Sequence, residues 1–188
     1  MTTNLAEQFL LDPDVVFLNH GSFGACPKPV FEDYQRWQLK LERQPVAFLD
    51  SRRGLEAKLR VARLALAAEL GSAPENIAQV TNATTGLNIA LQSLPLAEGD
   101  EILTTDHEYS ALEKTLVFIA RRTGAKIVVV KVPMPFVSAD AFHETVLAGI
   151  TPRTRLLFLS HITSPTALLF PIERLIAEAR ARGIFSVI

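Results

Sequence analysis

Four short segments carry side chains suited to ligand binding or proton transfer. Residues 81–88, TNATTGLN, set small and hydroxyl-bearing side chains at a strand-to-helix junction. A helix N-terminus offers free main-chain N–H groups and the positive end of a dipole, so a phosphate can bind there. Asn82, Thr84 or Thr85 can equally cap the helix with no ligand involved. Residues 106–114, DHEYSALEK, place Asp106 as an N-cap and Glu108 in the first helical turn, where helix punctuation accounts for both acids. His107 between them can stack its ring on a ligand or transfer a proton, or it can be an ordinary surface histidine. Residues 160–167, SHITSPTA, form a polar cluster of Ser160, His161, Thr163, Ser164 and Thr166 after an apolar run. The cluster suits a pocket lining, and it also suits a turn before Pro165. Residues 17–27, FLNHGSFGACP, put two glycines around Ser22 and Phe23, implying a sharp turn or a close approach after a short strand; a plain loop is the simpler alternative.

Other chemistries lack their residues. The four histidines are scattered, with no close Cys, Asp or Glu at ligand spacing, so no metal site is expected. A G-x-S-x-G elbow, a G-x-G-x-x-G loop and a G-x-x-x-x-G-K-[ST] loop are all missing. A net charge of −1 gives no electrostatic reason to expect nucleic acid. No apolar stretch reaches the roughly 20 residues that cross a bilayer, so no membrane partner is expected. The single cysteine, Cys26, excludes an internal disulfide, and with no signal-peptide pattern at the N-terminus the expected setting is cytoplasmic.

The elements that must position these segments follow from periodicity. Val30, Phe31, Tyr34, Trp37 and Leu41 recur at helical spacing after Pro27 and Pro29, and a second helix over about 52–70 stops at Gly71. Beyond it, short apolar strands at 77–80, 101–105, 126–132, 154–162 and 183–188 alternate with helices near 85–93, 109–123, 138–150 and 171–182. Strands joined by helical crossovers predict a parallel α/β sheet covered on both faces. Such sheets bind ligands beyond the carboxyl ends of their strands, where three of the four segments fall.

Taken in order, FLNHGSFGACPKPV, QVTNATTGLN, TTDHEYSALEK and SHITSPTALLFPI resemble the successive N-terminal motifs of the class V aminotransferase family of pyridoxal-phosphate enzymes, in its isopenicillin-N-epimerase-like and cysteine desulfurase-like branch. The resemblance covers nearly the whole chain. It implies an incomplete fold-type-I large domain, residues 30–188, preceded by an N-terminal arm and substrate-side loop, residues 1–29. It implies pyridoxal 5′-phosphate as cofactor of the complete enzyme, with Ala83, Thr84 and Thr85 at its phosphate, His107 on its ring, and Ser164 with Thr163 at its hydroxyl. Cysteine desulfurases often carry asparagine where Ser164 stands, a departure that counts against a desulfurase assignment. Asn19, His20 and Gly21 match the segment that closes over the amino-acid substrate.

The resemblance places the aspartate at the pyridine nitrogen and the Schiff-base lysine beyond Ile188, and the six lysines present fall outside the family's lysine motif. No catalytic residue is therefore assigned, and inactivity of this chain alone is expected. The complete enzyme would act on an amino acid through an external aldimine, with epimerase, transaminase or C–S lyase outcomes all open. A homodimer is implied for the full-length form. The alternative is a non-catalytic interaction module, or half of a split enzyme needing a C-terminal complementing chain. Cys26 reads as structural, since the family's nucleophilic cysteine belongs to the later half.

Overall fold

A computed structural model describes residues 5–188. They fall into two units, Met1–Gln79 and Val80–Ile188. The first is helical: α1 (His20–Phe23), α2 (Lys28–Arg43), α3 (Pro45–Leu49) and α4 (Leu55–Glu69). Pro27 precedes α2 and Pro29 lies in its first turn, where a missing N–H costs nothing. Trp37 meets Phe48 edge-on at 5.9 Å, and the Lys40 and Lys58 ammonium groups sit over these rings at 4.2 and 5.0 Å. The apolar stripe of α2 buries no residue fully, and Val30 and Tyr34 are exposed. The short helix α1 occupies the glycine-bearing segment, where a sharp turn after a strand is predicted; residues 15–19 form no strand.

The second unit runs α5 (Ala83–Gln92), β1 (Glu101–Thr105), α6 (Ser110–Thr123), β2 (Lys126–Val130), α7 (Ala139–Ala148), β3 (Thr154–Phe158), α8 (Glu173–Ala181) and β4 (Phe185–Val187). The four strands make one parallel sheet in the order β2-β1-β3-β4, with β1 and β3 central. Alternating side chains build a core on each face. Leu103, Leu157 and Leu159 pack with Phe142 and Val146 of α7 and Leu175 of α8. Ile102, Leu156 and Phe158 pack with Leu91 of α5 and Leu116 and Ile119 of α6. Each such side chain contributes roughly 2 kcal/mol on burial. The doubly covered parallel α/β sheet expected from periodicity is the one observed.

One strand expectation fails and another is shortened. Residues 77–80 form no strand, because none of the four sheet strands pairs with them and the Ile77 N–H is already donated to the Pro74 carbonyl. The run 154–162 leaves the sheet after Phe158, and Ile162 instead bridges Leu169 in an antiparallel loop. Gly183 stops α8: it takes φ +70°, and the Ile184 N–H returns to the Ala179 carbonyl. Among the described residues no helix is long and apolar enough to cross a membrane.

Candidate functional site

The N-terminus of α5 resolves one ambiguity of the sequence. Asn82 is the cap: its backbone is extended, and its Oδ1 accepts the Thr85 N–H at 2.8 Å. That leaves the N–H groups of Ala83 and Thr84 and the hydroxyls of Thr84 and Thr85 without a hydrogen-bond partner among the described residues. Thr84 is partly buried, and Ala83 and Thr85 are exposed.

Two cross-helix contacts fix where this terminus lies. Thr115 Oγ1 donates to Asn88 Oδ1 at 3.3 Å, and Arg122 Nη1 donates to Gln92 Oε1 at 3.1 Å. Residue numbers rise together in these pairs, so α5 and α6 run parallel. Because α6 follows β1 directly, both helices begin at the carboxyl edge of the sheet. Thr84 and His107 therefore belong to one edge.

At that edge β1 is stitched to both neighbours by the acids that flank His107. Asp106 does not cap α6 and Glu108 lies outside its first turn, contrary to the sequence expectation: the helix starts at Ser110, and its N-cap is Tyr109, which supplies no side-chain bond. Asp106 reaches towards β2, where its Oδ1 accepts the Val132 N–H at 3.0 Å. Glu108 turns towards β3. Its Oε1 accepts from Thr105 Oγ1 at 2.8 Å and from the Ser160 N–H at 3.3 Å, and its Oε2 accepts from Ser160 Oγ at 2.6 Å. Glu108 is 5% exposed, so these three donors replace the water it loses.

His107 is no surface histidine: it is 6% exposed and set edge-on to Phe170 with ring centroids 5.8 Å apart. Its Nδ1 lies 3.1 Å from Thr166 Oγ1, and its Nε2 lies 3.8 Å from Asp106 Oδ1. Thr166 Oγ1 is in turn 2.7 Å from Thr163 Oγ1, which accepts the Leu168 N–H at 2.9 Å. Thr163 is thus buried and committed inside its own loop, while Ser164 is exposed. The structure joins His107 to Thr163 through a residue that the motif assignment passed over. Thr166 stands 59 positions from His107, and only the polar run SHITSPTA hinted at it. The loop is tight enough to hold Ala167 at φ 51°.

Asn19, His20 and Gly21 lie in the first unit. The His20 ring meets Phe17 edge-on at 4.7 Å and Phe9 at 5.6 Å, and with them lines a cleft of about 640 Å³. The Asn19 carbonyl accepts the Phe23 N–H, opening α1. Cys26, read as structural, is exposed, because it stands just ahead of α2 rather than inside a packed element.

The opposite edge of the sheet is built differently. Glu101, at the start of β1, accepts from the Thr151 hydroxyl and from Arg153 Nε at 3.0 Å. The Thr151 bond first, then the guanidinium of Arg153 and the charge of Lys126, hold its carboxyl below the usual 4.5 against the opposing effect of burial.

A model of the aminotransferase class-V family matches residues 25–188. The chain belongs to this family. Within it, the chain is 40% identical to the isopenicillin N epimerase of Amycolatopsis lactamdurans over 188 residues, 98% of this chain and 46% of that protein. It is 28% identical to a probable chloroplastic L-cysteine desulfhydrase of Arabidopsis thaliana, over 94% of this chain and 40% of the relative. Among solved structures it matches a mutant of the cystine C–S lyase C-DES with glycine covalently linked to the PLP cofactor, at TM-score 0.79 and 25% identity, over 96% of this chain and 46% of that one. The cysteine desulfurase CsdA of Escherichia coli matches at TM-score 0.78 and 25% identity, over 97% of this chain and 47% of that one. The chain spans about half the length of the curated relatives it matches. This class-V chain therefore carries the α/β fold of the pyridoxal-phosphate transferases, as the motif resemblance implied.

Proposed function

We propose that this chain forms the N-terminal part of a pyridoxal-phosphate-dependent enzyme acting on an amino acid, and that it supplies the cofactor's phosphate seat and one ring contact. The observation that carries this reading is the parallel run of α5 and α6, which brings an uncapped pair of N–H groups and two unpartnered hydroxyls to the edge that holds His107. Free donors at a helix terminus suit a phosphate, whose charge also gains from the helix dipole. Ala83 and Thr84 would bind it through the main chain, and Thr84 and Thr85 through their hydroxyls. Stacking on His107 requires an open imidazole face; at 6% exposure that face is covered, so a bound pyridine ring replaces part of its cover. Ser164, exposed on the neighbouring loop, is the remaining polar contact proposed for the ring.

Pyridoxal phosphate, when bound, supplies an electron sink for bond breaking at an amino-acid α-carbon. What this chain does is bind and orient it. Relatives include an epimerase and cysteine desulfhydrases, so epimerisation and C–S cleavage are both open here, as is transamination. Asn19, His20 and Gly21 are proposed to meet the amino acid. A homodimer of the full-length form, a cytoplasmic setting, and a 1–29 arm ahead of the cofactor-binding portion complete this reading. In a second version of this reading the catalytic groups come from a separate C-terminal chain; the curated relatives are about twice as long.

The test is titration of the 188-residue chain with pyridoxal phosphate, compared with its Thr84→Glu variant. A carboxylate at the helix terminus should lower affinity at least tenfold through repulsion and lost donors. Unchanged affinity removes the phosphate seat. Borohydride treatment should label no single lysine in the isolated chain, and specific labelling of one lysine would contradict that assignment.

A further inference from the structure

We infer that Thr166 is a positioning residue that fixes the tautomer and orientation of His107. The relay begins at a group whose hydrogen has only one place to go. The Leu168 N–H points at Thr163 Oγ1 at 2.9 Å, so that oxygen accepts. The Thr163 hydroxyl hydrogen then has two acceptors, Thr166 Oγ1 at 2.7 Å and the Leu168 carbonyl at 3.4 Å; the first is a normal O–H···O length and the second is long. With Thr166 Oγ1 accepting, its own hydrogen goes to His107 Nδ1 at 3.1 Å. Nδ1 is then an acceptor, and the ring proton sits on Nε2, towards Asp106.

The main chain therefore directs the Thr163 hydrogen to Thr166 Oγ1. A ring proton on Nδ1 would make Thr166 Oγ1 accept twice, which its two lone pairs allow, but would turn the Thr166 hydrogen to solvent and away from His107 Nδ1, the protein acceptor it faces. Phe170 fixes the ring edge-on from the core side, and Thr166 fixes rotation about the ring's own axis. A ring held in one orientation offers a defined π-face once its cover is displaced, which is what a flat heteroaromatic ligand needs. This role deepens the proposed cofactor reading and rests on it for its purpose, though the tautomer itself does not.

The experiment is long-range proton–nitrogen NMR of the imidazoles in the ligand-free chain, with His107 assigned by its disappearance in His107→Gln. The expected wild-type pattern is an unprotonated Nδ1 and a protonated Nε2. Thr166→Val should yield a mixture of tautomers, and Thr166→Ser should retain the wild-type pattern. Thr166 is exposed and outside both cores, so neither variant creates a cavity. A protonated Nδ1 in wild type, or an unchanged pattern in the valine variant, overturns the inference whether or not any cofactor binds. Adding ligands then tests its purpose. Thr166→Val should weaken pyridoxal phosphate about fivefold to tenfold, the worth of a ring contact, and leave inorganic phosphate unchanged. A valine variant with altered tautomer but wild-type affinity for pyridoxal phosphate would overturn the positioning role, whereas failure of wild type to bind it at all would overturn the cofactor reading.

Discussion

The two ends of β1 each bury a glutamate, and they satisfy it by opposite means. Glu101, 4% exposed at the amino edge, is met by the guanidinium of Arg153 together with a hydroxyl. Glu108, 5% exposed just beyond the carboxyl edge, is met by two hydroxyls and a main-chain N–H, with no Lys or Arg paired to it among the described residues. The first arrangement clamps the strand by charge. The second clamps it with neutral donors, one from β1 itself and two just past the end of β3, so the carboxyl edge is held without a cation on Glu108. In the proposed reading, an anion arriving at that edge would meet helix-terminal N–H groups and hydroxyls, whose directions would set the specificity.

The largest effect should come from breaking the neutral clamp. Glu108→Ala leaves the buried Thr105 hydroxyl hydrogen and the Ser160 N–H and hydroxyl without their acceptor, a loss of roughly 2–4 kcal/mol that urea unfolding would report. A loss well under 1 kcal/mol would mean that water or a local shift repairs the edge.

The charged clamp should instead reveal itself through pH. A carboxyl held below its ordinary value binds fewer protons folded than unfolded, so its contribution is fully present above pH 4.5 and disappears as pH falls through the lower folded value. Urea midpoints measured on both sides of pH 4.5 should converge for wild type and Glu101→Gln on the acid side and separate above it. Arg153→Ala should shift the acid transition upward only in part, because the Thr151 hydroxyl still holds the carboxylate. Parallel profiles for all three proteins would show that Glu101 is not linked to folding.

The smallest effect concerns the loop that holds Thr166. Ala167 sits at φ 51°, a region costing an L-residue about 1–2 kcal/mol, offset in part by the extra chain entropy that glycine brings. Ala167→Gly should raise stability by about 0.5–1 kcal/mol in the same assay. A decrease would mean that the alanine methyl contributes packing that outweighs the strain.

Periodicity alone reached the covered sheet, because Ile102 and Leu103, or Leu156 and Leu157, must face opposite cores once the strand is extended. It overreached at residues 77–80, since a strand is defined by a partner and an apolar run says nothing about whether one is at hand. Within the site, His107 was legible as the side chain that helix punctuation did not explain. Asp106 and Glu108 were misread for the complementary reason: one has an adequate local role as a cap and the other as a first-turn acid, whereas their actual partners, Val132 and Ser160, lie 26 and 52 residues away. Thr166 required knowing that the loop 160–170 folds back so that Ile162 meets Leu169 and the Thr163 hydroxyl turns inward.

The most direct measurement compares the affinities of the intact 188-residue chain for pyridoxal phosphate, pyridoxal and inorganic phosphate under one set of conditions. With the phosphate seat at α5 and the ring contact at His107 on the same edge, pyridoxal phosphate should bind more tightly than either of its parts and should perturb the His107 resonances. Binding of pyridoxal phosphate no tighter than inorganic phosphate, with the His107 signals unmoved, would contradict the claim that the two form one cofactor site.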